Sequence, residues 1–343
     1  MPGVLAWWRK RSRRNKVRLV VYPTFVGLLG GFFAFTMIMP GRSHHGALPE
    51  LGPEGEKLAS RLRTDVALLV ADKGDRSQRS AGTLDRAGGV IEASLREDGY
   101  VVTRLPYASE GVTVSNLEAV LAGGARAKEV VVVGAHYDTA AGGPGADDNA
   151  SGVASMLAIA RALAASHAAP ARTIRFVAFV NEEPPYFWNA EMGSLVYAKA
   201  CRARGDDIVA MLSLETLGYF RDAPGSQKYP PIVSWFYPDR GDFIAFVGNL
   251  GSRGVVRAAI GTFRGAARFP SEGAAMPSFV TGVGWSDQWS FWQVGYPGVM
   301  VTDTAPFRNP NYHKASDLPD TLDYERLARV TEGLVAVVKK LGE

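Results

Sequence analysis

The feature that most constrains the fold is a run of four valines that ends in an imidazole and is followed by carboxylates. Residues 130–133 are all valine, and residues 134–138 (Gly-Ala-His-Tyr-Asp) come directly after them. A second acidic segment, residues 145–152 (Gly-Ala-Asp-Asp-Asn-Ala-Ser-Gly), follows shortly. A continuous apolar run is typical of a strand buried on both faces. The strand end therefore concentrates His136 and several carboxylates in one place, and metal binding is the usual reason for such a concentration.

Apolar runs typical of strands alternate with helical patterns along most of the chain. The strand patterns occupy 100–105, 112–121, 129–134, 172–180, 208–214 and 298–302. The helical patterns occupy 58–70, 84–95, 153–163, 191–202 and 324–341, with Asp320 or Thr321 as the cap of the last. This alternation predicts an α/β fold, a three-layer αβα sandwich whose mixed sheet is mostly parallel. Residues 224–231 and 264–277 are predicted to be irregular loops.

The N-terminal segment predicts one transmembrane helix. Seven positive residues lie between positions 9 and 18, and residues 19–41 carry no charge. A stretch of this length spans the hydrocarbon core, and the positive flank places the N-terminus in the cytoplasm. A cleaved signal peptide is the alternative, but the apolar run is long and no Ala-x-Ala site follows it.

The predicted organisation has four parts. A cytoplasmic basic tail at 1–18 precedes the transmembrane anchor at 19–41, a polar linker at 42–53 and a single domain at 54–343. The domain is expected on the extracytoplasmic side, periplasmic or extracellular. Cys201 is the only cysteine, so an internal disulfide is excluded and a buried thiol is the expected role.

The charge distribution argues against a nucleic-acid partner. The net charge is +4, and removing the seven positive residues of the tail leaves −3 for the rest of the chain. The body is therefore mildly acidic and has no basic stripe suited to a phosphate backbone. No obligate protein partner is evident either, and the expected membrane contact is through residues 19–41.

Further ligand-type residues follow other predicted strands. Glu182 and Glu183 follow the strand at 172–180, Glu215 follows 208–214, and His313 lies in a loop beyond 298–302. Each residue alone would be an ordinary capping or surface group. Because the carboxyl ends of parallel strands meet at one edge of a sheet, together they predict a metal site there.

These motifs resemble the exopeptidase family that uses two co-catalytic zinc ions. That family includes bacterial leucine aminopeptidases and aminopeptidase Y, with glutamate carboxypeptidase II and glutaminyl cyclase as relatives. The similarity runs from about residue 54 to the end and is strongest at 134–138, 145–152, 176–183 and 309–322. It implies a peptide substrate and two Zn²⁺ ions, although Mn²⁺ or Co²⁺ could occupy the same ligands. The implied metal ligands are His136, Asp148, Glu183, Glu215 and His313.

The resemblance also implies a division of roles. His136 and Glu215 would bind the first zinc, Glu183 and His313 the second, and Asp148 would bridge both ions. The implied catalytic positions are Glu182 as general base, Tyr312 with its hydroxyl directed at the substrate carbonyl oxygen, and Asp138 orienting the His136 imidazole. A non-proline cis peptide bond is implied between Asp148 and Asn149.

The sequence departs from the family pattern at several positions. Glu215 stands where relatives usually have Asp, and the aromatic segment 184–189 (Pro-Pro-Tyr-Phe-Trp-Asn) intervenes after the glutamate pair. This segment is interpreted either as the rim of the substrate pocket or as a hydrophobic cover on the core. Asp287 matches a stretch that lies near the site in relatives.

The leading hypothesis is a membrane-anchored zinc aminopeptidase, and three alternatives stay open. A carboxypeptidase of the same family would need arginines such as Arg264 and Arg268 near the metals to capture a carboxylate. A glutaminyl cyclase would use a single zinc, and the retention of His136 beside Asp148 argues against it. A non-catalytic receptor-like domain would lack ligands or the base, whereas this chain retains them.

Overall fold

The N-terminal unit contains one long apolar helix. The computed structural model describes residues 12–72, 74–166, 169–231 and 233–343, so the basic residues at positions 9–11 lie outside it. The chain forms two compact units, with the division between Ile38 and Met39. Helix α1 (Arg13–Met37) begins after Ser12, whose hydroxyl accepts from the Asn15 amide. The segment Val17–Met37 of α1 has a mean hydropathy of 1.8 and is long and apolar enough to cross a membrane. A signal sequence near the N-terminus would meet the same criteria of length and hydropathy.

The second unit, Met39–Glu343, is built on an eight-stranded sheet. The strands are β1 (Val102–Ser109), β2 (Val112–Leu121), β3 (Arg126–His136), β4 (Arg172–Phe179), β5 (Asp207–Glu215), β6 (Ile244–Asn249), β7 (Ser271–Met276) and β8 (Gly298–Thr302). The helices are α2 (Pro53–Leu69), α3 (Ala81–Glu97), α4 (Gly152–Ala165), α5 (Gly193–Arg204), α6 (Arg253–Ala266), α7 (Gln288–Gln293), α8 (Ala305–Arg308) and α9 (Tyr324–Gly342). The strand order is β1-β2-β4-β3-β5-β8-β6-β7.

The sheet is mixed, with a parallel centre. The pairs β4–β3, β3–β5, β5–β8 and β6–β7 are parallel, whereas β1–β2, β2–β4 and β8–β6 are antiparallel. Along β3, Val131 and Val133 pack in the core that includes α2, α3, α4, α6 and α9, whereas Val130 and Val132 pack on the opposite face with α5 and α7. Because both faces are buried, the valine run is continuous. The predicted three-layer sandwich with a mostly parallel mixed sheet is confirmed.

The predicted loop at 264–277 is wrong for most of its length. Helix α6 continues to Ala266, and β7 occupies Ser271–Met276. The β7 sequence, Ser-Glu-Gly-Ala-Ala-Met, lacks the β-branched and aromatic residues that mark strands. Close packing favours the glycine at position 273, since a Cβ there would lie 2.8 Å from the Ile260 side chain and 2.9 Å from the Met39 side chain. Close contact with α6 therefore determines a strand that local propensity does not indicate.

The cap of the last helix differs from the prediction, and the start of the predicted linker contacts the body. The closing helix α9 is capped by Asp323, whose carboxylate accepts from the Arg326 amide, and not by Asp320 or Thr321. The predicted linker is fixed to the body near its start, because Ser43 Oγ accepts from the Ser271 amide at 2.9 Å. The segment at 42–53 is thus partly ordered against β7.

Candidate metal centre

The ligand-type residues come together where neighbouring strands end. β3 ends at His136, β5 ends at Glu215, and Glu182 and Glu183 follow β4. These strands and β8 are adjacent and parallel, so their carboxyl ends lie at one edge of the sheet. The loop after β8 brings His313 to the same edge.

Asp148 lies between two groups of donor atoms. Its Oδ1 is 3.3 Å from His136 Nε2, which in turn is 3.2 Å from Glu215 Oε2. Its Oδ2 is 3.0 Å from His313 Nε2, which is 3.2 Å from Glu183 Oε2. One carboxylate therefore contributes one oxygen to each group.

The donor atoms fit a divalent cation. His136 Nε2 and both carboxylate oxygens of Asp148 are buried and have no hydrogen-bond partner among the described residues. Ligand atoms of His136, Asp148 and Glu183 lie within 4.8 Å of one another. Buried polar atoms are rarely left without partners, and imidazole and carboxylate are the donors that zinc prefers. A zinc ion would therefore satisfy atoms that the protein itself leaves unsatisfied.

The ionisable groups of the centre control one another's charge. Burial opposes charging of His136, but the carboxylates of Glu215 and Glu182 outweigh it and raise the imidazole pKa well above its usual value. Burial also disfavours the ionised form of Asp148, yet its contacts with His136 and His313 lower its pKa below the usual value. Burial, followed by the charge of Asp148, raises the pKa of Glu183 to about 7. Such coupled, buried groups are typical of a functional site.

Asp138 supports the centre differently from the expectation. Its carboxylate lies 3.6 Å from His136 Nδ1, beyond hydrogen-bond distance, whereas its main-chain carbonyl oxygen lies 3.2 Å from that nitrogen. The carboxylate instead accepts from the backbone amides of Glu182 and Glu183, each at 3.1 Å. The main chain of Asp138 therefore contacts the imidazole, and its side chain binds the backbone of the glutamate pair.

The peptide bond between Asp148 and Asn149 is cis, as the resemblance implies. The preceding acid, Asp147, is directed elsewhere, because its carboxylate accepts from the Gly218 amide and from the side-chain amide of Asn309. The two adjacent aspartates thus have separate tasks. Asp148 faces the donor groups, and Asp147 joins neighbouring loops.

Two supporting residues were not singled out from the sequence. The carboxylate of Asp317 accepts from the backbone amides of Asp147 at 3.0 Å and Asp148 at 3.1 Å, and so fixes the segment that carries Asp148. Ser286 Oγ donates to Glu215 Oε2 at 2.7 Å. Asp317 lies within the similar block 309–322, which is the only signal that pointed to it.

Arg76 is a third residue that the sequence analysis missed. Its side chain is buried, and it donates to the carbonyl oxygens of Tyr137 at 2.8 Å and Gly145 at 3.2 Å, and also to that of Pro144. Burial lowers its pKa to about 10, so the guanidinium is still charged at neutral pH. Because Tyr137 and Gly145 flank the two ligand segments, Arg76 connects them.

Replacing Arg76 by methionine is expected to destabilise the protein by about 3 kcal/mol, since buried carbonyl oxygens lose their donor. The free energy of unfolding from denaturant titration measures the change. The exposed Arg79→Met variant is the matched control and is expected to stay within about 0.5 kcal/mol of the parent protein. Equal unfolding midpoints for Arg76→Met and the parent would contradict the assigned role.

Glu182 and Tyr312 reach the centre without belonging to either donor group. Glu182 Oε2 lies 3.9 Å from His136 Nε2. The Tyr312 ring stacks on the His313 ring, with 3.9 Å between centroids. Burial, followed by the charges of nearby carboxylates, raises the Tyr312 pKa well above its usual value, so its hydroxyl keeps the proton and can donate it to an acceptor.

A cavity opens beside the centre, and Glu215 and Tyr312 form part of its wall. Its empty volume is about 890 Å³, part of which is open to solvent. The described residues that line it include no arginine or lysine. Arg264 instead donates to Ser271 Oγ and to the Ser271 carbonyl oxygen, and Arg268 is exposed outside the lining.

The aromatic segment 184–189 lies outside the lining of this cavity. Trp188 stacks on Trp289 and donates to the Gly284 carbonyl oxygen, contacts that suit a hydrophobic cover better than a rim. Asp287 is buried next to Ser286, and neither of its carboxylate oxygens has a hydrogen-bond partner among the described residues. Burial raises its pKa to about 7.

Comparison with known proteins gives a family and a fold. The model of peptidase family M28 matches residues 116–338. The Escherichia coli K12 protein YfbL is 36% identical over 287 residues, which covers 81% of this chain and 87% of YfbL. Fungal relatives described as probable zinc metalloproteases or leucine aminopeptidases are longer, and the chain spans about half of their length.

Solved structures share the fold at lower sequence identity. The Legionella pneumophila LapA aminopeptidase superposes with a TM-score of 0.65 at 19% identity, over 87% of this chain and 77% of LapA. The Fimbriiglobus ruber glutaminyl cyclase superposes with a TM-score of 0.60, also at 19% identity, over 87% of this chain and 98% of the cyclase. One fold thus occurs in both an aminopeptidase and a glutaminyl cyclase, so the activity must be argued from the site.

Proposed function

The chain belongs to peptidase family M28 and is a zinc metallopeptidase, and we propose that it is specifically an aminopeptidase that removes N-terminal residues from peptides. One observation carries the two-metal part of the proposal: one Asp148 oxygen lies beside His136, which contacts Glu215, and the other lies beside His313, which contacts Glu183. This arrangement suits two zinc ions that share a carboxylate.

The two donor groups would hold one ion each. When bound, zinc supplies Lewis-acid polarisation of the scissile carbonyl and makes water a stronger acid. Glu182 takes the proton of the attacking water and passes it to the departing amine, a role that its position near His136 Nε2 permits. Tyr312 donates a hydrogen bond to the carbonyl oxygen as negative charge develops there. Asp138 keeps the glutamate pair in place through the two backbone amides.

The charges around the cavity favour an amine over a carboxylate. Its ionisable lining includes Glu215 and Glu272 and, among the described residues, no basic side chain. A C-terminal carboxylate would be repelled by these acids and would find no cation among the described lining residues, whereas a peptide that enters with its free N-terminus meets no such repulsion. Arg264 and Arg268, which a carboxypeptidase would need near the metals, lie outside the lining. We therefore rank aminopeptidase above carboxypeptidase.

The decisive experiment compares aminoacyl peptides with the same peptides blocked at the N-terminus, using the full chain in detergent with and without a chelator. We expect hydrolysis of the unblocked peptides alone and loss of activity by at least about 10³-fold after metal removal. Hydrolysis of blocked peptides would contradict the proposal. A peptide with N-terminal glutamine tests for cyclisation, and two zinc ions per chain would argue against a single-zinc cyclase.

We also propose that α1 anchors the enzyme in a membrane with the peptidase unit on the extracytoplasmic side. The apolar segment Val17–Met37 and the basic residues before it support this topology. Carbonate extraction and protease protection of the full chain test it. Release of a shortened protein would indicate a cleaved signal sequence.

A further inference from the structure

Glu215 and Glu272 lie at the two ends of one row of residues across the sheet. The strand register pairs Glu215 with Thr302, Thr302 with Ala245, and Ala245 with Glu272. Residues in register on neighbouring strands point to the same face, and all four line the cavity. Three strand spacings separate the end residues, or about 14 Å between their Cα atoms. The cavity therefore extends from the metal centre to the carboxylate of Glu272.

Aromatic side chains line the space between these two ends. The cavity wall includes Tyr229, Tyr237, Phe243, Trp285 and Phe307. The rings of Tyr229 and Tyr237 stack with 6.0 Å between centroids, and the Tyr237 hydroxyl donates to the Gly273 carbonyl oxygen on β7 at 2.9 Å. The part of the cavity wall formed by Tyr237 is thus hydrogen-bonded to β7, the strand that carries Glu272. Aromatic walls accommodate an aliphatic stem and attract a cation at its end.

Glu272 has no partner of its own among the described residues. Burial and the charges of Arg264 and Asp242 affect its carboxylate, but no hydrogen bond or ion pair from a described residue reaches it. Arg264, whose charge affects Glu272, donates instead to Ser271 Oγ and to the carbonyl oxygens of Ser271 and Pro40. Burial raises the Glu272 pKa to about 7, and the charge of Arg264 only partly offsets this. The carboxylate thus lies at the end of an apolar cavity, where a cationic ligand would stabilise its ionised form.

We infer that this cavity receives the side chain of the substrate's N-terminal residue and that Glu272 selects lysine or arginine there. The inference rests on the proposed function, because it requires the scissile bond to lie at the metal centre beside Glu215. A leucine side chain would end among the aromatic rings. The longer stem of lysine or arginine carries its charge towards the far end of the cavity, where Glu272 can accept a charge-assisted hydrogen bond.

The test compares lysyl and norleucyl derivatives of one fluorogenic amide, since norleucine has the four-carbon stem without the ammonium group. We expect the parent enzyme to hydrolyse the lysyl substrate with a kcat/KM roughly 10- to 100-fold above that of the norleucyl substrate. Glu272→Gln should remove this preference and leave the norleucyl value within about threefold. Asp242→Asn is the matched control, because Asp242 affects the charge of Glu272 but lies outside the cavity lining.

The outcomes separate the inference from the proposed function. Hydrolysis of both substrates with the same lysine preference in the parent and Glu272→Gln would overturn the inference alone. If neither substrate is hydrolysed, the aminopeptidase proposal fails, and calorimetric binding of lysine and norleucine hydroxamates still decides the selectivity. Equal affinity of the parent protein for the two hydroxamates would then overturn the inference.

Folding of the variant is checked separately. In the folded protein the Glu272 pKa is raised, so the ionised carboxylate costs stability as the pH rises above its ordinary pKa and towards about 7. Glu272→Gln removes that cost. Its melting temperature is therefore expected to exceed that of the parent protein by about 1–3 °C at pH 8 and to match it at pH 5.

Discussion

Replacing Glu182 by glutamine is expected to lower kcat by about 10²- to 10⁴-fold, the range that general acid–base catalysis contributes. Glutamine keeps the size of the side chain but cannot take a proton from water. Burial, followed by repulsion from Glu215 and Glu183, raises the Glu182 pKa well above its usual value even though His136 opposes the shift. A carboxylate in this environment accepts a proton readily and can then pass it to the departing amine. Steady-state hydrolysis of an unblocked dipeptide measures the loss.

The zinc content of each variant shows whether it has lost only the general base or the metal site itself. Glu182→Gln should retain the zinc of the parent protein, whereas Glu183→Gln, one residue along, should lose zinc because Glu183 lies in the His313 donor group. A Glu182→Gln protein that is loaded with zinc and hydrolyses peptides at the parent rate would refute the assigned role.

Replacing Asp148 by alanine is expected to give the largest loss of metal. Asp148 offers an oxygen to each donor group, so the variant weakens both sites at once. We expect the bound zinc to fall below half of the parent value and hydrolysis to fall by at least about 10³-fold. Atomic absorption after gel filtration measures the first quantity, and hydrolysis of an unblocked dipeptide measures the second.

The neighbouring Asp147→Asn variant is the matched control for Asp148. Asp147 is equally buried, but its carboxylate accepts from Gly218 and Asn309 rather than facing the donor groups. Burial and the charges of Asp303 and Asp317 raise its pKa well above the usual value, so a neutral amide is a close substitute. We expect a change of about 1 kcal/mol in unfolding free energy and unchanged zinc content. Full zinc occupancy in Asp148→Ala would contradict the shared-ligand arrangement.

The sequence was sufficient to predict the central strands and the edge at which their ends meet. The valine run of β3 and the apolar runs before Glu182 and Glu215 are long enough to be recognised without knowledge of their neighbours. Parallel pairing then brings the side chains that follow them to one edge. The structure does gather His136, Asp148, Glu183, Glu215 and His313, while their roles as zinc ligands stay predictions.

The supporting contacts could not be predicted, because they join segments that are distant in the chain. Arg76 and Asp317 reach the ligand segments through backbone carbonyl and amide groups, which leave no trace in residue type. The strand β7 was missed because small residues suit its contact with α6, whereas strand propensity favours branched ones. The position of Glu272 opposite Glu215 follows from the register of four strands, which no local pattern specifies.

The distribution of donors over separate strand ends determines when a cation can act during folding. Donors that lie close in sequence can trap a metal in a nearly unfolded chain, but these donors extend from His136 to His313 and meet only after β3, β4, β5 and β8 have paired. Long-range parallel pairing is the slow part of such a topology. A cation held by these donors would therefore bind the completed structure and would not nucleate the fold. Zinc starvation would then leave the route of assembly unchanged and shorten the lifetime of the folded protein.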